Sequence, residues 1–126
     1  MRQKDIVDEI RKLCGHAELL PAMGWHFMYN RQHYFYLTRR NEGMIRFCVP
    51  HLVKADDYDK ELLTEAINDT NRNVKFIKAV RLDGGSVSLD YDHKTSTEET
   101  AANIVPHIVH TLDFASTYLL HKLKNR

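Results

Sequence analysis

Residues 73–93, NVKFIKAVRLDGGSVSLDYDH, constrain this chain more than any other stretch: two β-prone arms close around Asp83, Gly84 and Gly85. Aspartate and glycine supply the local bonding and the positive φ that a tight hairpin turn requires. A two-residue turn at Asp83-Gly84 or Gly84-Gly85 puts Phe76, Val80 and Leu82 on one face with Val87, Leu89 and Tyr91. Lys75, Ile77, Ala79 and Arg81 then share the other face with Ser86, Ser88, Asp90 and Asp92. In the Asp83-Gly84 register Lys75 stands opposite Asp92, and Lys78 falls on the apolar side, where a stem at a sheet edge can snorkel to water. The aspartates read as the wet side of a hairpin, although Asp90 and Asp92 share a face that a hard cation could use.

The remaining pattern organises around this hairpin. In residues 3–20, Ile6, Ile10, Leu13 and Ala17 recur at helical spacing, with Val7 and Cys14 beside them, and Pro21 and Gly24 end the run. From Trp25 the period becomes strand-like. WHFMYNRQHYFYLT folds back near residues 30–33, and MIRFCVPHLV follows the RRNEG turn, giving a three-stranded meander. KADDYDKELLTEAINDTNRN predicts a second helix capped by Asp56 or Asp57, with Tyr58, Leu62, Leu63, Ala66 and Ile67 on its buried face. The last 31 residues of the chain predict a long helix. Ser96 and Glu99 have capping-box spacing there, and the stripe Ala101, Ile104, Ile108, Leu112, Ala115 and Leu119 is widened by Val105, Phe114, Tyr118 and Leu123. Pro106 interrupts that pattern and predicts a kink or a frayed first turn. The order is α-β-β-β-α-β-β-α: one α+β domain over residues 1–126, with five antiparallel strands.

Composition narrows the function classes. Eighteen basic residues balance seventeen acidic ones, so no strong field recruits nucleic acid or an anionic membrane. Cys14 and Cys48 lack any C-x-x-C partner and read as reduced thiols, small buried apolar groups of a cytoplasmic protein. MRQKDIVDEI lacks the apolar core of a signal peptide, and no run reaches the ~20 apolar residues that span a bilayer. There is no P-loop, no G-x-S-x-G elbow and no H-E-x-x-H. Neither an enzyme nor a cofactor is expected.

Two sets of residues stand out as sites. A turn centred on Arg31-Gln32 groups Trp25, Phe27, Tyr29, Tyr34 and Tyr36 on one face of the first hairpin, and Met28, Phe35 and Leu37 on the other. Both faces are apolar, so one covers the helices and the other is a partner surface, a dimer interface or an exposed patch. Tyrosine joins an apolar ring to a polar tip, which makes Trp25, Phe27, Tyr29, Tyr34 and Tyr36 the candidate partner-binding set. If that face is instead covered by a helix or a dimer mate, the same residues are core. The second set is a metal or small-molecule alternative. His107 and His110 lie three apart on one helix, with Asp92 and His93 as further ligands; scattered surface histidines are the bland reading of the same residues.

The element order, together with INDTNRNVKFIKAVRLDGGSVSLDYD, resembles the YbjN-like proteins, whose fold is that of the type III secretion chaperones. Asn68, Asn71, Lys75, Phe76, Lys78, Asp83, Gly84, Leu89 and Tyr91 carry the likeness, and MIRFCVPHLV resembles the family's strand leading into a proline. The pattern covers residues 25–124 and is sharpest over 44–92. The resemblance implies a curved antiparallel sheet packed with helices, often as a homodimer. YbjN-like proteins are labelled regulators of sensory transduction, and the secretion chaperones hold extended client segments. The expectation is therefore a non-enzymatic, chaperone-like or regulatory module that binds a partner protein segment as a homodimer. A small-molecule or metal-dependent enzyme around Asp90, Asp92, His93, His107 and His110, and a purely structural self-associating domain, are the alternatives.

Overall fold

The computed structural model describes residues 1–37 and 43–124. Its elements run α1 (Gln3–Cys14), β1 (Glu18–Leu20), β2 (Gly24–Tyr29), β3 (Gln32–Leu37), β4 (Met44–Lys54), α2 (Lys60–Asn73), β5 (Ile77–Arg81), β6 (Ser86–Lys94) and α3 (Ala101–Lys124). Six antiparallel strands form one sheet in the order β1-β2-β3-β4-β6-β5. The α+β class and the antiparallel sheet agree with the sequence, but the strand count is six where five were expected. Gly15 explains the difference. It takes a left-handed φ of 85° and closes α1 with its N–H on the Arg11 carbonyl, freeing Glu18–Leu20 to pair with β2. The expected turn over residues 39–42 lies outside the described residues.

All three helices pack on one side of the sheet. α3 lies against β4, β5 and β6, with α1 and α2 beside it. Its buried stripe of Ile104, Val105, Ile108, Val109, Leu112, Ala115 and Leu119 meets Phe27, Tyr34, Tyr36, Phe47, Val49, Leu89 and Tyr91 in one core. Each large apolar side chain buried there contributes roughly 1.5–3 kcal/mol. Pro106 sits in the second turn of α3, where one backbone bond is lost without ending the helix. The helix proper begins at Ala101. Ser96 and Glu99 complete only half of the expected capping box, in a turn ahead of it: the Ser96 N–H donates to Glu99 Oε1 at 2.9 Å, while the Ser96 hydroxyl accepts from Glu98 N–H rather than from Glu99. At α2 the cap is Asp59, which accepts from Leu62 N–H, whereas Asp56 and Asp57 lie in the preceding 3-10 turn (Ala55–Asp57).

The β5–β6 hairpin differs from expectation by one residue of register. Ile77 pairs with Tyr91, Ala79 with Leu89 and Arg81 with Val87. The loop holds three residues, with Gly85 at φ 90°, Leu82 N–H on the Ser86 carbonyl and Gly85 N–H on the Leu82 carbonyl. A one-residue slip exchanges the two faces of a strand. Ile77 and Ala79 therefore enter the core and Lys78 points away from it, opposite Asp90, so no Lys75–Asp92 pair forms. β5 is an edge strand, and its outward groups at Ala79 are held by the Asn71 carboxamide, which accepts from Ala79 N–H at 2.6 Å and donates to its carbonyl at 3.0 Å. This closes part of an edge that could otherwise pair with another chain.

Gly24 opens β2 at φ 142°, and a Cβ there would run into the Tyr36 carbonyl oxygen on β3. Gly24→Ala is expected to lose roughly 2–4 kcal/mol of stability in urea unfolding, through backbone strain and a displaced β2–β3 ladder. A loss below about 0.5 kcal/mol would contradict this register.

Candidate functional site

Strand alternation leaves the second sheet face without a helix. β2 contributes His26 and Met28, β3 His33 and Phe35, and β4 Arg46 and Cys48. β6 adds Ser88, Asp90 and Asp92, and β5 adds Lys78. One row crosses all six strands: Glu18, His26, Phe35, Cys48, Asp90 and Lys78. Phe35 (9% exposed) and Cys48 (7%) are screened by their neighbours alone, while Met28 is 43% exposed.

Polar groups on this face are tied to one another. Arg46 grips Asp92 directly across β4 and β6 with two bonds, Nε to Oδ1 at 2.5 Å and a second nitrogen to Oδ2 at 2.7 Å. That carboxylate raises the guanidinium pKa and keeps it firmly cationic. The Ser88 hydroxyl donates to Asp90 Oδ1 at 3.3 Å. Burial pushes the Asp90 carboxyl above its ordinary range, opposed by the nearby Arg46 charge and the Ser88 bond. His26 Nε2 and His33 Nδ1 meet at 2.8 Å, with ring centroids 5.0 Å apart, and Phe35 lies 5.2 Å from His26.

The candidate partner-binding set lies on the opposite face, under the helices. The grouping expected from the sequence is correct, since Trp25 pairs with Tyr36, Phe27 with Tyr34 and Tyr29 with Gln32 around an Asn30-Arg31 turn. The side is reversed. Phe27, Tyr34 and Tyr36 are buried, and Trp25 and Tyr29 are half-buried against the same core. Phe27 stacks on Tyr34 at 5.3 Å, and Tyr36 on Phe47 at 5.2 Å. Burial raises the pKa of both Tyr34 and Tyr36, and the Tyr34 hydroxyl is enclosed without a hydrogen-bond partner in the structure. A recognition tyrosine needs a wet hydroxyl, and Tyr34 does not present one. The physical reason for the reversal is continuity: Tyr36 pairs with Phe47, and Phe47 with Tyr91, so this face joins the apolar sides of β4 and β6.

The metal alternative separates in the same way. Asp92 pairs with Arg46 on the bare face, while His93, its neighbour in sequence, bonds Glu99 at 3.0 Å on the other. His107 stands edge-on to Tyr91 at 6.4 Å, and His110 lies 5.9 Å from Tyr29. Among the described residues no group of three or more His, Cys, Asp or Glu is placed to hold a metal ion. Asp92, His93 and His107 do line one cleft of about 480 Å³ with Phe76, Tyr91 and Glu99. Phe76 is 71% exposed there at φ 68°, a backbone conformation that disfavours a bulky side chain. Sequence reasoning missed His26, His33 and Arg46. The parity that grouped Met28 with Phe35 carries all three once the β3–β4 register is known.

No protein-family model and no curated protein matches the chain. Among solved structures, the heterodimeric complex ExoU–SpcU from the type III secretion system of Pseudomonas aeruginosa contains a chain of similar fold, with a TM-score of 0.55 and 14% identity. The match covers 87% of this chain and 84% of that one. At this identity the likeness is one of fold alone. Among the described residues no helix is long and apolar enough to cross a membrane.

Asp90 provides a test of the bare face. Its folded pKa lies above the unfolded value of 3.8, so folding favours the protonated form and the ionised form destabilises. Asp90→Asn is expected to melt higher than wild type at pH 7. The gap should shrink as pH falls through the folded carboxyl pKa and vanish below the unfolded one. Melting curves from acid to neutral pH check this, and a gap that widens on acidification would contradict it.

Proposed function

We propose that this chain is a non-enzymatic, chaperone-like interaction module, cytoplasmic and homodimeric, that holds a segment of a partner protein on its helix-free sheet face. The observation that carries the reading is the asymmetry of the sheet. One face is sealed by three helices, while the other presents Met28 and the Phe35–Cys48 row with no helix above them. The charges around that row are already matched in Arg46–Asp92, so an incoming backbone meets few uncompensated charges. The likeness in fold to a chain of a heterodimeric secretion complex supports the reading, as does the resemblance in sequence pattern of residues 44–92 to YbjN-like regulators.

A photo-crosslinking residue at position 28, on the bare face, and another at position 60, on the outer surface of α2, separate the possibilities. Crosslinking from position 28 to a partner protein, absent from position 60 and lost when Lys78→Glu is added, is the expected outcome. Capture from position 60 alone would overturn the assignment of the face. Capture of nothing but a second copy from position 28 would replace partner binding with self-association.

A small-ligand reading is favoured by one observation, the cleft that brings Asp92, His93 and His107 beside Tyr91 and Phe76. The polar groups inside it are already partly engaged, since Glu99 holds His93 and Arg46 holds Asp92. Phe76→Ser should leave capture from position 28 intact, and loss of capture in that variant would move the site to the cleft.

A further inference from the structure

We propose that His26 and His33 form a surface chelate for a borderline transition-metal cation, represented by Zn²⁺. The site does not rest on partner binding, although the pair lies on the same helix-free face with His33 opposite Met28, and it contains none of the metal-site candidates read from the sequence. His26 Nε2 and His33 Nδ1 stand 2.8 Å apart on neighbouring antiparallel strands. A bond between two imidazole nitrogens needs an N–H on one and a lone pair on the other. Moving the shared proton to the other nitrogen of its own ring leaves both imidazoles neutral and turns two lone pairs toward one point. Imidazole is a preferred ligand of zinc, copper and nickel and a poor one for magnesium or calcium.

The geometry is close to what such an ion requires. Two nitrogens bound at ~2.0–2.1 Å on a tetrahedral centre lie roughly 3.3 Å apart, about half an ångström wider than the present separation. Small side-chain rotations supply that difference. The Asn30-Arg31 turn, with φ of 48° and 68°, joins β2 directly to β3 and fixes the relative position of the two strands. Phe35 lies against His26 at 5.2 Å and limits its rotation. His33 is exposed and His26 half-buried on the helix-free face, so an ion reaches the pair from water and keeps solvent in its remaining positions. The site is open, and binding is correspondingly modest.

Titration of the untagged chain with Zn²⁺ alone, followed by calorimetry and by the imidazole NMR signals, tests this. The expected result is one ion per chain, with the largest shifts at His26 and His33 and none on addition of Mg²⁺. His33→Ala, an exposed position, should weaken binding roughly tenfold or more by removing one of two ligands, and His26→Ala likewise. His107→Ala should leave it unchanged. Equal Zn²⁺ affinity in His33→Ala and wild type, or unmoved His26 and His33 signals at saturating Zn²⁺, would overturn the proposal. Crosslinking from position 28 is read without added metal, so failure here leaves the partner-binding reading standing.

Discussion

A single row of side chains ties the fold together. Leu19, Trp25, Tyr36, Phe47, Tyr91 and Ile77 stand opposite one another across all six strands on the helix-covered face. From Tyr36 to Ile77 every member is buried, and the stacked Tyr36–Phe47 pair is its centre. The row is continuous only if β4 lies between β3 and β6, which requires the chain to place β5 outside β6. Once it forms, the pleat dictates everything else about the sheet. Residues one step along each strand must face away, and the apolar stripe of α3 has only one side on which to lie. Gly24 belongs to the same constraint, because a side chain there would push β2 off β3 at the end of the row.

What the pleat turns outward is chemically different. The neighbouring row of Glu18, His26, Phe35, Cys48, Asp90 and Lys78 alternates apolar and ionisable groups, with Arg46–Asp92 beside it. A solvated antiparallel face ordinarily carries polar residues that reach into water. Here Asp90 is held where burial disfavours its charge, and Phe35 is screened only by its neighbours. The helix-free face thus sets a partly desolvated carboxylate beside nearly buried apolar side chains. The sheet edges add to the picture. Asn71 occupies the outward groups of β5, whereas β1 ends the other side with three residues and an exposed Leu19.

Much of this was legible in the residues. The helix stripes, the glycine hairpin and the grouping of Trp25, Phe27 and Tyr29 with Tyr34 and Tyr36 all follow from local periodicity and turn chemistry. The failures share a cause. Which aromatic face is covered depends on the pairing of Tyr36 with Phe47 and of Phe47 with Tyr91, contacts between segments far apart in sequence. The β5 register turned on whether the loop held two residues or three, and Gly85 at positive φ decided for three, exchanging Ile77 and Ala79 with Lys78. Gly15 ended α1 early because its left-handed conformation satisfies the Arg11 carbonyl, and a sixth strand followed. His26 and His33 were invisible as a pair because they meet diagonally across a hairpin whose turn was expected at Arg31-Gln32, whereas positive φ at Asn30 and Arg31 sets it one residue earlier.

The most direct measurement is relaxation enhancement of side-chain NMR signals by a neutral, freely diffusing paramagnetic probe in the isolated chain. If three helices seal one face and leave the other bare, Met28 and His33 will relax strongly, while Phe27, Tyr34 and Phe47 will be protected. Strong relaxation at Tyr34 with protection at Met28 and His33 would reverse the two faces and contradict the account.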